Sequence, residues 1–354
     1  MIYLGVKMAR ITRKGYSYDD VLMVPQYNDV SSRKEVDFTT KVTKNYSLDI
    51  PILAANMDTV CEAKMAITLG KLGGLGVIHR FMSVENQAKE VLKVKREHLI
   101  VAAALGIKDY TERAKALIES GVNIIVLDIA HGHSKMTGQT LKWLKKNYPQ
   151  VDVLVGNIAT KEAARDFINK GADGLKVGIG PGAMCTTRIM TGAGVPQITA
   201  IMDVFERSQG LVPICADGGL KYPGDLAKAI GAGADTVMIG SIFSGTEETP
   251  GSIIKKKGKK YKLYRGMASY DAALKKLQMD GKKKIEIISV EGEKTLVPYR
   301  GKVEPIVKKY LGGLASGMTY NGARKIIEFK GKADFIYMTS AGRVASGAHG
   351  VRDI

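Results

Sequence analysis

The segment VDVLVGNIATKEAARDFINKGADGLKVG (residues 151–178) contains the repeating unit that decides the fold. It begins with an apolar run, VDVLVGN, and ends with a second one, GLKVG. Between them lies an amphipathic stretch with a glycine where a helix would end. Continuous apolar runs separated by such a helix are typical of parallel strands that are buried on both faces. The segment therefore predicts a strand–helix–strand unit of a parallel sheet.

The same unit recurs along the chain and predicts eight strands. They are IPILAAN (50–56), LGVI (75–78), LIVAAA (99–104), NIIVLD (123–128), VDVLVGN (151–157), GLKVG (174–178), VPICADGG (212–219) and DTVMIGS (235–241). Eight such units favour a closed (β/α)8 barrel over an open sheet with helices on both faces. Residues 1–354 are therefore predicted to form one α/β barrel domain.

The composition is that of an ordinary soluble protein, with 45% hydrophobic and 25% charged residues. Three cysteines are too few for a disulfide framework or a zinc site, and no apolar stretch has the length of a membrane span or signal peptide. These features predict a cytoplasmic protein that does not enter membranes. The net charge of +18 comes partly from lysine runs at 255–262 and 275–284. Such runs are usually solvated surface but can attract polyanions. Nucleic-acid binding is therefore kept as a remote alternative for the function.

Polar residues follow nearly every predicted strand, at the end of a barrel where active sites lie. They are Asn56, Asp58, His79, Arg80, Asp128, His131, His133, Asn157, Asp217 and Ser241. The longest connection, GIGPGAMCTTRIMTG (178–192), follows the sixth strand and contains Cys185. Exposed amides on a glycine-rich loop can lower a thiol pKa, so Cys185 is predicted to be a nucleophile. Cys61 and Cys215 lie in or beside apolar segments and are predicted to be structural.

Glycines follow the seventh and eighth strands, in ADGGLKYPG and MIGSIFSG. Barrels often bind phosphate at these two loops through glycine amides and a helix N-terminus. Asp217, just before the first glycine pair, suits a ribose diol as an acceptor. The sequence thus predicts a phosphorylated, ribose-bearing ligand beside the Cys185 thiol.

The motifs GIGPGAMCTTR, ADGG, YRGM and LGGLASGMTYNGA resemble those of the inosine-monophosphate dehydrogenase and guanosine-monophosphate reductase family. The similarity extends from YDDVLMVP (18–25) to SAGRVASGAHG near the end of the chain. It implies a (β/α)8 barrel that assembles as a homotetramer. It also implies that the cysteine attacks C2 of a purine nucleotide, GMP or IMP, and that a nicotinamide exchanges hydride there. The regulatory cystathionine-synthase-type repeats found after the second strand in many members are absent.

The resemblance also implies a role for individual residues. The implied catalytic residues are Cys185, Thr187 and Glu291. The implied substrate-binding residues are Asp217, Gly218, Gly219, Gly240, Ser241, Tyr264 and Met267. The implied cofactor-binding residues are Arg80, Asp128 and Asn157. A monovalent cation, K⁺, is expected on the backbone carbonyls of Gly180, Gly182 and Cys185.

The two activities of the family differ after the covalent thioimidate has formed. Dehydrogenases hydrolyse it with an Arg-Tyr pair on a mobile flap, but residues 267–292 contain no arginine. Reductases release ammonia with a threonine and a glutamate, which Thr187 and Glu291 match. DDVLMVP, DIAHGHS and the C-terminal tail (335–354) are more similar to bacterial dehydrogenases. The sequence favours GMP reductase, which converts GMP and NADPH to IMP, ammonia and NADP⁺; the alternative is IMP dehydrogenase, which converts IMP, NAD⁺ and water to XMP and NADH.

The flap, predicted at about 268–297, contains the lysines Lys282, Lys283 and Lys284. We predict that they bind the 2′-phosphate of NADPH through Coulomb attraction, which would disfavour NADH. The alternatives are that NADH also serves as the cofactor and that these lysines form a solvated flap tip.

Overall fold

A computed structural model describes residues 11–270 and 290–347. Three short strands precede the barrel: β1 (Val21–Met23), β2 (Thr40–Lys41) and β3 (Ser47–Leu48). Eight parallel strands then form a closed barrel: β4 (Ile52–Ala54), β5 (Leu75–Ile78), β6 (Ala102–Leu105), β7 (Ile124–Asp128), β8 (Asp152–Ile158), β9 (Gly174–Val177), β10 (Ile214–Asp217) and β11 (Thr236–Ile239). Pairing of β11 with β4 closes the barrel. Each strand overlaps its predicted run, so the predicted fold is confirmed.

The connections between the barrel strands contain eight helices. They are α1 (Ala63–Lys71), α2 (Val84–Lys95), α3 (Tyr110–Glu119), α4 (Lys135–Asn147), α5 (Lys161–Asn169), α6 (Thr187–Thr191), α7 (Gln197–Ser208) and α8 (Pro223–Gly231). Ser83, Ser134 and Thr160 begin three of them, each accepting a hydrogen bond from the backbone N–H three residues later. Because α2 alone joins β5 to β6, the connection has no inserted domain, as the sequence predicts.

The barrel strands are buried on both faces, as their apolar runs require. On β4, Ile52 and Ala54 belong to the cluster that packs against the helices, whereas Leu53 belongs to the cluster inside the barrel. Val42 and Leu48, on and beside the β2–β3 hairpin, also join the inner cluster. The hairpin therefore contributes apolar side chains to the barrel interior.

The remaining elements lie outside the barrel. An antiparallel sheet contains β12 (Ile254–Lys256), β13 (Lys259–Arg265) and β14 (Lys294–Pro298). They are followed by α9 (Glu304–Tyr320), α10 (Ile326–Phe329), β15 (Phe335–Tyr337) and α11 (Ser340–Ala345). The predicted tail begins as β15, which pairs with β1, and its last residues, 348–354, lie outside the described residues.

Helix α9 packs closely against α8 because two of its three glycines face that helix. A Cβ on Gly313 would lie 2.4 Å from Pro223, and one on Gly317 would lie 2.5 Å from Ala227. This close approach explains Gly313 and Gly317 of the LGGLASGMT motif, whereas a Cβ on Gly312 would have open space around it. Within the described ranges, no helix is both long enough and apolar enough to cross a membrane.

Candidate active site

A cleft of about 340 Å³ lies at the carboxyl ends of the barrel strands. It is lined by all of the catalytic, substrate-binding, cofactor-binding and cation-binding residues that the family resemblance implies: Arg80, Asp128, Asn157, Gly180, Gly182, Cys185, Thr187, Asp217, Gly218, Gly219, Gly240, Ser241, Tyr264, Met267 and Glu291. The fold thus brings together residues that are more than 200 positions apart in the chain.

The half-buried Cys185 lies on the connection from β9 to α7, and its N–H donates to the Gly182 carbonyl at 3.0 Å. Within this glycine-rich loop, Thr187–Thr191 form the short helix α6. The Arg188 side chain connects the two ends of the loop. It donates to the Ile179 carbonyl at 3.3 Å and to the Val195 carbonyl at 2.7 Å. This loop conformation therefore presents the thiol to the cleft.

Three side chains form a hydrogen-bonded series in the cleft. The Cys185 thiol donates to the Thr187 hydroxyl at 3.1 Å, and this hydroxyl donates to Glu291 Oε2 at 2.7 Å. Thiol, hydroxyl and carboxylate in this order can move a proton from the sulfur to the carboxylate and back.

Backbone pairing brings Glu291 to this position from more than 100 residues away. The Thr186 N–H donates to the Glu291 carbonyl at 3.0 Å, and the Glu293 N–H donates to the Met184 carbonyl at 3.1 Å. Cys185 and Gly292 are the partners of this antiparallel bridge. The predicted flap therefore contributes Glu291 through main-chain contacts with the Cys185 loop.

Where the loops after β10 and β11 line the cleft, their glycines have no side chains that would cover the backbone. Gly218 and Gly219 have φ of +87° and +88°, the left-handed region that favours glycine. At Gly240, a Cβ would lie 3.0 Å from Met57 Sδ and 3.3 Å from the Tyr264 hydroxyl. Burial raises the pKa of Tyr264, so its hydroxyl remains a donor at neutral pH. Bare amides beside a protonated hydroxyl suit a phosphate group.

A buried lysine that was not predicted from the sequence, Lys176, links three of the residues that line the cleft. Its side chain is 1% exposed, and Nζ donates to Asp128 Oδ1 at 2.9 Å, to Asp217 Oδ2 at 2.7 Å and to Asn157 Oδ1. Burial opposes its charge, but the two carboxylates raise the pKa of Lys176. Burial would also raise the pKa of Asp128, but Lys176 and Arg80 lower it. A lone lysine in the apolar strand GLKVG was the available indication in the sequence.

These contacts distinguish the roles that Asn157 and Asp217 can take. The Asn157 amide nitrogen donates to the Gly178 carbonyl at 2.7 Å and to Asp217 Oδ2 at 2.9 Å, while its oxygen accepts from Lys176. All of these partners are protein groups, so Asn157 suits positioning of Asp217 better than the predicted contact with a cofactor. Among the described residues, Asp217 Oδ1 has no hydrogen-bond partner, which leaves this oxygen available to a ribose hydroxyl.

Arg80 fits the predicted contact with a cofactor. Its guanidinium lies 5.2 Å from the Phe81 ring centroid, and Nη2 donates to the Asp128 carbonyl at 3.4 Å. Its Nε is buried and has no partner within residues 11–270 and 290–347. Because Arg80 also lines the cleft, its guanidinium fits a contact with an acceptor atom of a nicotinamide cofactor.

The carbonyls predicted to bind K⁺ are neutral oxygens, the donor type that replaces the hydration shell of K⁺. They belong to one turn of the Cys185 loop, where the Gly182 carbonyl already accepts from the Cys185 N–H. These neutral carbonyl oxygens are therefore of a chemical type that suits a monovalent cation. The predicted phosphate clamp of Lys282, Lys283 and Lys284 lies outside the described residues.

Several polar residues at strand ends hold loops rather than line the cleft. His79 is buried; Nδ1 accepts from the Phe81 N–H at 3.1 Å, and Nε2 lies 3.1 Å from Glu62 Oε1. Asp58 forms an ion pair with Arg265. His133 and His131 are likewise absent from the residues that line the cleft. Position after a strand therefore identified more residues than the site contains.

Only one of the three thiols is expected to react quickly with an aromatic disulfide reagent in the native protein. Cys61 and Cys215 are 0% exposed. Burial raises the pKa of both, that of Cys215 to about 12. Since the thiolate is the reactive form, they should react only after unfolding. Thiol titration of the native and unfolded chain measures this, and a fast phase that persists in Cys185→Ala would contradict it.

A parallel barrel with a loop cysteine beside glycine-rich phosphate loops defines an enzyme of the (β/α)8 class that acts on nucleotides. The model of the IMP dehydrogenase / GMP reductase domain matches residues 15–349, and the chain belongs to this family of nicotinamide-dependent oxidoreductases of purine metabolism.

Relatives of both activities are similar to the chain. The inosine-5′-monophosphate dehydrogenase of Cryptosporidium parvum is 42% identical over 96% of this chain and 96% of its own length. The GMP reductase of Leishmania major is 34% identical over 96% of this chain and 97% of its own length. A crystal structure of a cysteine variant of Trypanosoma brucei GMP reductase in complex with guanosine 5′-monophosphate superposes with a TM-score of 0.90 at 34% identity, covering 96% of this chain and 99% of that one.

Proposed function

We propose that the protein is a GMP reductase, which converts GMP, NADPH and a proton to IMP, ammonia and NADP⁺. The observation that carries this proposal is the series Cys185–Thr187–Glu291, with hydrogen bonds of 3.1 and 2.7 Å. It connects the nucleophile to a carboxylate that can return the proton needed by a departing amine. The absence of arginine from residues 267–292 adds support, because the family's hydrolytic Arg-Tyr pair has no counterpart there.

The directions of the two hydrogen bonds suggest how the proton moves. The Cys185 proton passes through the Thr187 hydroxyl to Glu291, which leaves a thiolate in the cleft. The sulfur bonds to C2 of GMP, the bond from C2 to the amino nitrogen breaks, and the proton returns through Thr187 to the leaving ammonia. NADPH, when bound, supplies the hydride that replaces the sulfur at C2. The thiolate leaves, and a proton taken up from solvent by the Cys185–Thr187–Glu291 series restores the starting state for the next cycle.

The neighbouring residues position the substrate and cofactor. The backbone at Gly218, Gly219 and Gly240, with the hydroxyls of Ser241 and Tyr264, would hold the 5′-phosphate, and Asp217 Oδ1 the ribose. Met267 lines the cleft and would contact the base through its backbone. Arg80 and Asp128 would lie against the cofactor, and K⁺ on the loop carbonyls would stabilise the Cys185 loop. We further propose a cytoplasmic homotetramer built from one barrel domain per chain.

IMP dehydrogenase is the second candidate, favoured by the 42% identity to the Cryptosporidium enzyme. A paired assay decides between the two: GMP with NADPH, and IMP with NAD⁺, each followed at the nicotinamide absorbance. Oxidation of NADPH that depends on GMP and releases ammonia in equal amount supports the reductase. Reduction of NAD⁺ by IMP with formation of XMP would overturn it. NADH in place of NADPH tests the cofactor preference.

Glu291→Gln should lower kcat for GMP reduction by about a hundredfold or more, because an amide cannot return the proton. The dissociation constant for GMP should change less than about threefold, since this carboxylate contacts Thr187 rather than the phosphate loops. Glu293→Gln is the matched control, because its side chain is exposed and outside the cleft. Equal losses in both variants, or formation and reduction of the adduct at normal rates in Glu291→Gln, would make Glu291 a turn residue.

A further inference from the structure

A second cleft, of about 450 Å³, opens beside the first. Gly219, Ser241 and Ile242 line both clefts. Gly219 and Ser241 are also the residues proposed to hold the nucleotide 5′-phosphate. The second cleft therefore begins where the phosphate of a bound mononucleotide would end.

The side chains around the second cleft are strongly biased in charge. Its charged lining residues are Lys221, Arg300 and Lys309, and none is a carboxylate. The Lys221 ammonium pairs with Asp19 at 2.5 Å, but Lys309 is exposed and has no acidic partner among residues 11–270 and 290–347. A cleft lined by cations, with one of them uncompensated, attracts anions.

Arg300 is anchored at the boundary between the two clefts. Its Nη1 donates to the Ile242 carbonyl at 2.9 Å and approaches the Ser241 carbonyl at 3.4 Å. Its Nε and Nη2 have no hydrogen-bond partner in the part of the chain that the structure describes. A guanidinium with two free donors can bind two phosphate oxygens at once. Arg300 is thus placed to contact a phosphate attached to the one at Gly219 and Ser241.

We infer that the second cleft is a subsite for the distal phosphates of purine nucleoside diphosphates and triphosphates. This inference rests on the orientation of the nucleotide in the proposed function, with its 5′-phosphate at Gly219 and Ser241. The base and ribose of such a nucleotide occupy the substrate cleft, and its distal phosphates contact Arg300 and Lys309. Nucleoside polyphosphates therefore compete with the monophosphate substrate for the same cleft.

The test compares the dissociation constants of GMP, GDP and inorganic pyrophosphate for the full chain, measured by calorimetry. GDP should bind about fivefold more tightly than GMP at low salt, and this preference should shrink at moderate salt. Arg300→Gln/Lys309→Gln should weaken GDP binding about tenfold and GMP binding less than about threefold. Lys309→Gln alone, a change at an exposed position, should remove part of the preference without affecting folding. Lys308→Gln is the control, because Lys308 pairs with Glu304 and lies outside the cleft.

Two results would overturn the subsite: GDP that binds no more tightly than GMP to the wild-type chain, or a double variant that weakens both equally. Failure of the proposed function is detected separately, in the paired assay of GMP with NADPH and IMP with NAD⁺. Pyrophosphate reports on the subsite in that case. Binding of pyrophosphate that the double variant abolishes supports the subsite, and binding that it leaves unchanged contradicts it.

Discussion

Cys185→Ala should lower the turnover of GMP by about a thousandfold or more, because loss of a covalent nucleophile leaves only binding and orientation. GMP should still bind with a similar dissociation constant, since the loops proposed to hold its phosphate follow β10 and β11 and do not require the thiol. Steady-state kinetics measure the first effect and calorimetry the second.

Cys61→Ala is the control for this variant, because Cys61 is a buried thiol outside the cleft. It should keep turnover within about threefold of wild type, since it contacts neither substrate nor nucleophile. Turnover by Cys185→Ala above about a hundredth of the wild-type rate would show that the reaction does not pass through a bond to this sulfur.

Lys176→Met should lower the free energy of unfolding by about 3 kcal/mol or more, because it leaves the charges of Asp128 and Asp217 without their cation. These carboxylate side chains are only 20% and 22% exposed, so water compensates them incompletely. Urea denaturation monitored by circular dichroism measures the change. Asp128→Asn, added to Lys176→Met, should restore part of the loss because it removes one of the two facing charges.

The effect of Lys176→Met should depend on pH in a defined direction. The folded-state pKa of Asp128 is lowered, so its contribution is present above the unfolded pKa and is lost as pH falls through the folded pKa. The difference between wild type and variant should therefore be large at neutral pH and shrink in acid. The pKa of Lys176 is raised, so its own contribution is full at neutral pH and is lost only in strong alkali. A difference that grows on acidification would contradict the ion-pair explanation.

The sequence predicted the barrel because burial on both faces leaves continuous apolar runs, a pattern that surface residues do not produce. It also drew attention to Cys185, because a thiol on a glycine-rich loop is unusual for a packing residue, and the structure places this residue in the cleft lining. The role of Lys176 was not predicted because it depends on hydrogen bonds to Asp128, Asn157 and Asp217, which lie on three other strands. Pairing across a closed barrel is a property of the fold and cannot be read from one strand.

His79 and Asp58 illustrate the opposite error. Both follow barrel strands, as active-site residues do, but partners elsewhere in the chain turn them away from the cleft. His79 contacts Glu62, and Asp58 contacts Arg265 in β13. A position after a strand shows where the backbone of a residue lies, but the direction of its side chain depends on the hydrogen-bond and ion-pair partners near it. Only the folded chain distinguishes a residue that lines the cleft from one that ties down a loop.

The backbone bridge between Cys185 and Gly292 holds the thiol of Cys185 and the carboxylate of Glu291 on adjacent segments. Glu291 reaches Thr187 only while these two short lengths of main chain lie side by side. A molecule that separated these two segments would leave the Cys185 thiol intact. It would remove the hydrogen bond between Thr187 and Glu291, and with it the proposed proton transfer. The proposed reaction therefore depends on the main-chain hydrogen bonds between these two segments as well as on the side chains of Cys185, Thr187 and Glu291.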